Sequence, residues 1–181
     1  MIKFKQAILA SLAFVLVLAA PAARAGAIVT GTWYDFVFQG TGSDLTAGFG
    51  GGGSTAPPAA PWTITLAGPA YLIVTDCCQP GDRFELFDGG ISLGLTSAVT
   101  SDTAFVCGTP DSCLADPLMS HGAFLLGAGS HSITGIVTDS PHGGGEGFFR
   151  IAVPEPGSAA LIGLAMGILA VVRRRSRAQS R

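Results

Sequence analysis

The sequence predicts an all-β fold, an antiparallel β-sandwich of jelly-roll type, set between two terminal targeting segments. Three observations carry this. From Gly26 to Ala152 apolar residues recur in short runs with a period of two, and no run holds the period of an amphipathic helix. Glycine-, proline- and aspartate-rich turns separate those runs, and the chain has 26 glycines. The ends differ in kind from this middle: each is a long apolar stretch beside basic residues.

Taken in order, Thr32–Phe38 alternates, with Tyr34, Phe36 and Phe38 on one face and Asp35 on the other with Gln39. Residues Gly40 to Pro61, with four consecutive glycines at Gly50–Gly53, read as a mobile loop without a core. Trp62, Ile64 and Leu66 mark a second strand, and Gly68-Pro69 turns it into Tyr71–Thr75. Asp76–Asp82 is a turn-rich loop, Arg83–Phe87 a strand, and Asp88-Gly89-Gly90 a hairpin signal leading into Ile91, Leu93 and Leu95. Ala98–Ser120 reads mostly as loop, with a short apolar piece at Ala104–Cys107. Ala123–Leu126, His131–Thr138 and Phe148–Val153 complete about eight strands, with a loop at Asp139–Gly147. Strands at this spacing predict a sandwich, with a β-barrel as the lesser alternative.

The division is therefore 1–25, 26–152 and 153–181. In the first segment Lys3 and Lys5 precede an apolar run from Ala7 to Ala20, and Ala23-Arg24-Ala25 presents small residues where signal peptidase reads. This predicts a cleaved signal peptide, cut between Ala25 and Gly26. In the last, Val153-Pro154-Glu155-Pro156 is followed by an uncharged stretch over about 157–172 and then by Arg173, Arg174 and Arg175. That order predicts a single transmembrane helix whose basic end, 173–181, stays in the cytoplasm. Fifteen residues from Ser158 to Val172 would span only ~22 Å of a ~30 Å hydrocarbon core, a marginal anchor that suits a temporary one.

The net charge of −2 hides an asymmetry: residues 26–152 hold two basic and eleven acidic side chains, a net of −9. Such a domain is repelled by nucleic acid, and that class of partner is set aside. All four cysteines, Cys77, Cys78, Cys107 and Cys113, lie in this exported part and predict two disulfides. The preferred pairing takes Cys77 and Cys78 each to one of Cys107 and Cys113. The competing layout closes Cys107–Cys113 locally and leaves a vicinal Cys77–Cys78 bridge.

The tail resembles the PEP-CTERM sorting signal of Gram-negative bacteria that make exopolysaccharide. The resemblance rests on Pro154-Glu155-Pro156, the short apolar span and the arginines, and it covers only the tail. It implies that exosortase, a membrane protease, cuts near the Pro-Glu-Pro. Asp76–Ser97, with Gly129–Thr134 and Gly147–Ile151, looks like a recurring β-sandwich of secreted bacterial and fungal proteins. That second resemblance supplies a fold and no catalytic residues.

Chemistry-bearing residues are sparse. Gly90-Ile91-Ser92-Leu93-Gly94 fits an esterase elbow and His142-Gly143-Gly144-Gly145 an oxyanion loop, but Ser92 sits in a β-only domain and the order is reversed. Asp76, Asp82, Glu85 and Asp88 fall close together around two turns and are weak calcium candidates. His121, His131 and His142 lack ligand spacing. Trp33, Tyr34, Trp62 and Tyr71 fit core packing better than a sugar platform. The sequence reading is a non-enzymatic exported protein of the cell surface or extracellular matrix, without cofactor. Its partners are signal peptidase, exosortase, the membrane before processing, and exopolysaccharide. The alternative is a carbohydrate- or calcium-dependent binding module of the envelope.

Overall fold

A computed structural model describes residues 25–154 except 99, 101 and 102. The sorting span, the arginines and the signal segment up to Arg24 lie outside the described residues. Two five-stranded sheets pack face to face. One has the order β1 (Gly26–Ala27), β4 (Trp62–Leu66), β9 (Gly129–Asp139), β6 (Arg83–Asp88), β7 (Ile91–Leu95). The other runs β3 (Thr46–Ala47), β2 (Tyr34–Phe38), β10 (Gly145–Ala152), β5 (Ala70–Asp76), β8 (His121–Leu126). Every strand pair is antiparallel but one: β1 runs parallel to β4, with Gly26 opposite Trp62.

The inner faces hold the aromatic residues that the alternation assigns to them. Phe36 lies at the centre, edge-on to Phe84 at 5.1 Å, with Phe38–Phe84 at 5.2 Å and Trp62–Phe149 at 4.4 Å between ring centroids. Leu72, Val74, Ile133 and Ile151 close the same core. Each such ring pair contributes ~0.5–1.5 kcal/mol beyond its buried area.

Three expectations need correction. The 40–61 segment does pack: Leu45 is buried in the main core, β3 pairs with β2, and the 48–50 turn lies over the outer face of β2. The 98–120 segment contains a short helix, α1 (Pro110–Ala115), capped by the Thr109 side chain with Pro110 opening its first turn. Finally, β10 starts at Gly145, inside the expected loop. Glycines serve there because aromatic rings of β2 cross that strand: a Cβ on Gly147 would stand 2.3 Å from Phe36 Cζ.

A second, smaller cluster sits on the outer face of the β10 sheet. Trp33, Phe148 and Met119 pack there with Cys77, Cys107 and Cys113, under α1 and its flanking loops. Arg150 closes its rim, stacked 4.5 Å over Trp33 and paired at 3.7 Å with Asp111.

Candidate functional site

The tail junction is built by β10, a central strand bonded to β2 on one side and β5 on the other. Its last core residue is Ile151, fully buried, whose carbonyl accepts from Gly31 N at 2.8 Å. Two residues later Val153 is 53% exposed and Pro154 is exposed. Proline has no N–H to extend the ladder, so the sheet ends where the tail begins. Glu155, Pro156, Arg173, Arg174 and Arg175 lie outside the described residues. At the other terminus Ala23 is also outside them. Ala25 is exposed, whereas Gly26 is buried in β1 and donates to the Pro61 carbonyl at 3.0 Å.

The cysteines pair as Cys107–Cys113 and Cys77–Cys78, which corrects the preferred cross-loop pairing. Both bridges are local, and Cys107–Cys113 closes over α1, which fixes the separation of its two ends. The sulfurs of Cys77, Cys107 and Cys113 nonetheless lie within 4.8 Å of one another. Three of the four sulfurs thus lie together, but which cysteine pairs with which is not readable from spacing.

The four acidic residues proposed for calcium separate. Asp76 and Asp82 meet at the end of the sandwich opposite the tail. Asp76 accepts from Cys77 N at 2.8 Å and from Asp82 N at 3.2 Å, so its carboxyl organises the 77–82 turn. Burial, reinforced by the charge of Asp82, raises its pKa to about 8. Asp82 is also raised by burial, against hydrogen bonding from Ser140 and the charge of His142, and its Oδ1 is buried without a hydrogen-bond partner. Glu85 and Asp88 lie three and six residues further along β6, up to ~20 Å away. Glu85 accepts from Ser92 Oγ at 2.6 Å. Asp88 accepts from His131 Nδ1 at 2.7 Å and Ser132 N at 2.9 Å; burial opposes its ionisation, but these bonds outweigh it and hold its pKa below the usual value.

Asp35 and Glu146 were missed. Asp35 is buried because Phe49 N and Gly50 N donate to its Oδ2 at 2.7 and 2.9 Å. Burial and the Asp35 charge raise the Glu146 carboxyl. Alternation alone marks both as outward-facing; the returning 48–50 turn makes Asp35 interior, while Glu146 is half-buried beside Cys77 and Cys78. Ser92 donates to Glu85 rather than to a histidine, which is not the Ser–His pair that the esterase-like pattern requires. A groove beside β1 is lined by Ala27, Ile28, Val29, Thr63, Ser130 and His131 among others, with no Phe, Tyr or Trp in its lining.

The chain carries a PEP-CTERM protein-sorting motif, matched over residues 152–176. The motif implies a membrane-anchored precursor that is then exported to the surface. No curated protein sequence matches the chain. Among solved structures it is similar to the pre-peptidase C-terminal domain of a collagenase from Bacillus anthracis, at 10% identity and TM-score 0.38, covering 73% of this chain and 98% of that one. It is similar also to a carbohydrate-binding module CBM36 in complex with calcium and xylotriose, at 11% identity and TM-score 0.36, covering 64% and 78%. A third is the C-terminal CBM6 of LamC from Zobellia galactanivorans, at 12% identity and TM-score 0.34, covering 64% and 76%.

Proposed function

We propose that this chain is an exported, non-enzymatic surface protein that exosortase sorts and cuts near Pro154-Glu155-Pro156. The observation that carries the reading is the sorting motif over 152–176, which begins at the last residue of the last strand. Signal peptidase removes residues 1–25 between Ala25 and Gly26. The apolar run over about 157–172 then holds the precursor in the inner membrane, with Arg173–Arg175 in the cytoplasm. Cutting frees an acidic sandwich, which acts at the cell surface or in the exopolysaccharide matrix of a Gram-negative producer.

The side chains support a structural rather than catalytic role for the domain. Asp76 is engaged by turn amides, Ser92 by Glu85 and His131 by Asp88. An internally tagged chain expressed with and without exosortase tests the reading. A shortened form should leave the inner membrane only when exosortase is present. Full-length protein retained there in both hosts would refute it.

A further inference from the structure

The end of the sandwich from which the tail leaves differs chemically from the opposite end. Across the outer face of the β10 sheet, Ala152 stands opposite Tyr71, and Tyr71 opposite Leu125. Cross-strand partners share a face, so these three form one row. Tyr71 is 41% and Leu125 61% exposed. The cover formed by α1 and its loops ends one row earlier, at Arg150. Val153, just past the row, is 53% exposed, and Val29, 59% exposed, immediately precedes Thr30, which bridges to Ile151.

Three loops at this end carry no charged residue: 67–69 is Ala-Gly-Pro, 127–130 is Gly-Ala-Gly-Ser, and 29–33 is Val-Thr-Gly-Thr-Trp. The 88–91 hairpin beside them carries Asp88, held by His131 and Ser132, together with Ile91, 75% exposed. Asp44, Asp76, Asp82, Asp139 and Glu146 gather at the far end, where β5, β9 and β10 have their other termini. The tail sets a distance. Four residues, Val153 to Pro156, separate the sheet from the apolar run, and four extended residues reach at most ~14 Å.

We propose that this largely apolar end, where the Asp88 carboxylate is held by His131 and Ser132, rests on the phospholipid headgroup surface while the chain is anchored, with the acidic end turned toward solvent. The inference rests on the anchored precursor described above. A short tether confines the end to the bilayer surface, Tyr71 is a ring suited to the interface, and the placement keeps the acidic end from anionic lipid. Held so, the Pro154-Glu155-Pro156 segment stays within a shell of about one tether length beside the membrane, where a membrane protease works.

The test is the isotope-labelled full chain in single-copy nanodiscs of phosphatidylethanolamine and phosphatidylglycerol, with a headgroup spin label on a fraction of the lipid. Amide peak loss should be strongest at residues 29, 67–71, 125–129 and 152–153, and weak at 44, 82 and 139–146. Tyr71→Glu with Leu125→Glu, both at exposed positions, should even out that gradient and leave the spectrum dispersed. Uniform loss across the wild-type sandwich would overturn the proposal. So would loss that spares 71 and 125, the result if another ligand covers the row. A chain that fails to co-purify with the discs would instead overturn the anchored reading itself.

Discussion

At the scale of single residues, the buried carboxyls decide how the domain responds to pH. Asp76 is raised from 3.8 to about 8, with burial the larger cause, and Asp82 and Glu146 are raised as well. These groups hold their protons more tightly in the folded chain. For Asp76 the stability this contributes is complete below 3.8, falls as pH climbs toward about 8, and is lost above it; Asp82 and Glu146 act with the same sign. Asp88 has the opposite sign, but its contribution is lost only as pH falls below 3.8. The melting temperature should therefore drop between about pH 5 and about pH 8, and Asp76→Asn, which has no proton to lose, should drop less. Equal slopes for the two proteins would remove Asp76 as the cause. The sequence marked Asp76 and Asp82 as unusual by their crowding near a turn. It was silent on Asp35, whose burial depends on amides fourteen and fifteen residues away.

At the scale of elements, what could be read depended on how local the determinant is. β2, β4 and β9 followed from alternation because each has one face on the core, and a one-residue slip would expose the whole apolar set; β5 followed from its continuous apolar run and β6 from its place between turns. β1 and β3 were not legible. Each is two residues long, and pairing with β4 or β2, rather than their own pattern, makes them strands. α1 escaped for a related reason, since six residues are too few to show a helical period. The disulfides mark the same limit: four nearby cysteines predict a cluster, while pairing depends on how the chain enters it. Trypsin separates the possibilities directly. Arg83 and Arg150 are the only basic residues of the exported domain, so Cys77 and Cys78 fall in one peptide and Cys107 and Cys113 in another. Without reductant the two peptides should separate, as local bridges require. A covalently joined pair would restore the cross-loop pairing.

At the scale of the whole molecule, the sandwich is complete before the tail begins, and this bears on how it can be released. The last buried side chain is Ile151, in contact with both the main core and the Thr30 bridge, while Val153 and Pro154 are exposed. Among the described residues, nothing from Val153 onward contributes core atoms or a ladder hydrogen bond. The proposed cut near the Pro-Glu-Pro would therefore be decoupled from unfolding, and the released domain would need no refolding afterwards. Cutting further in has a steep cost. Losing Ile151 opens a cavity between the sheets worth ~2–5 kcal/mol, a large fraction of what holds a domain of this size. Chains ending at Val153 and at Arg150 separate these cases. The first should melt with the same transition as the domain of the full chain, and the second should lose most of its cooperative unfolding. If the shorter chain melted normally, β10 would not be the closing element described here. If the longer one were destabilised, the tail would be part of the fold rather than an appendage to it.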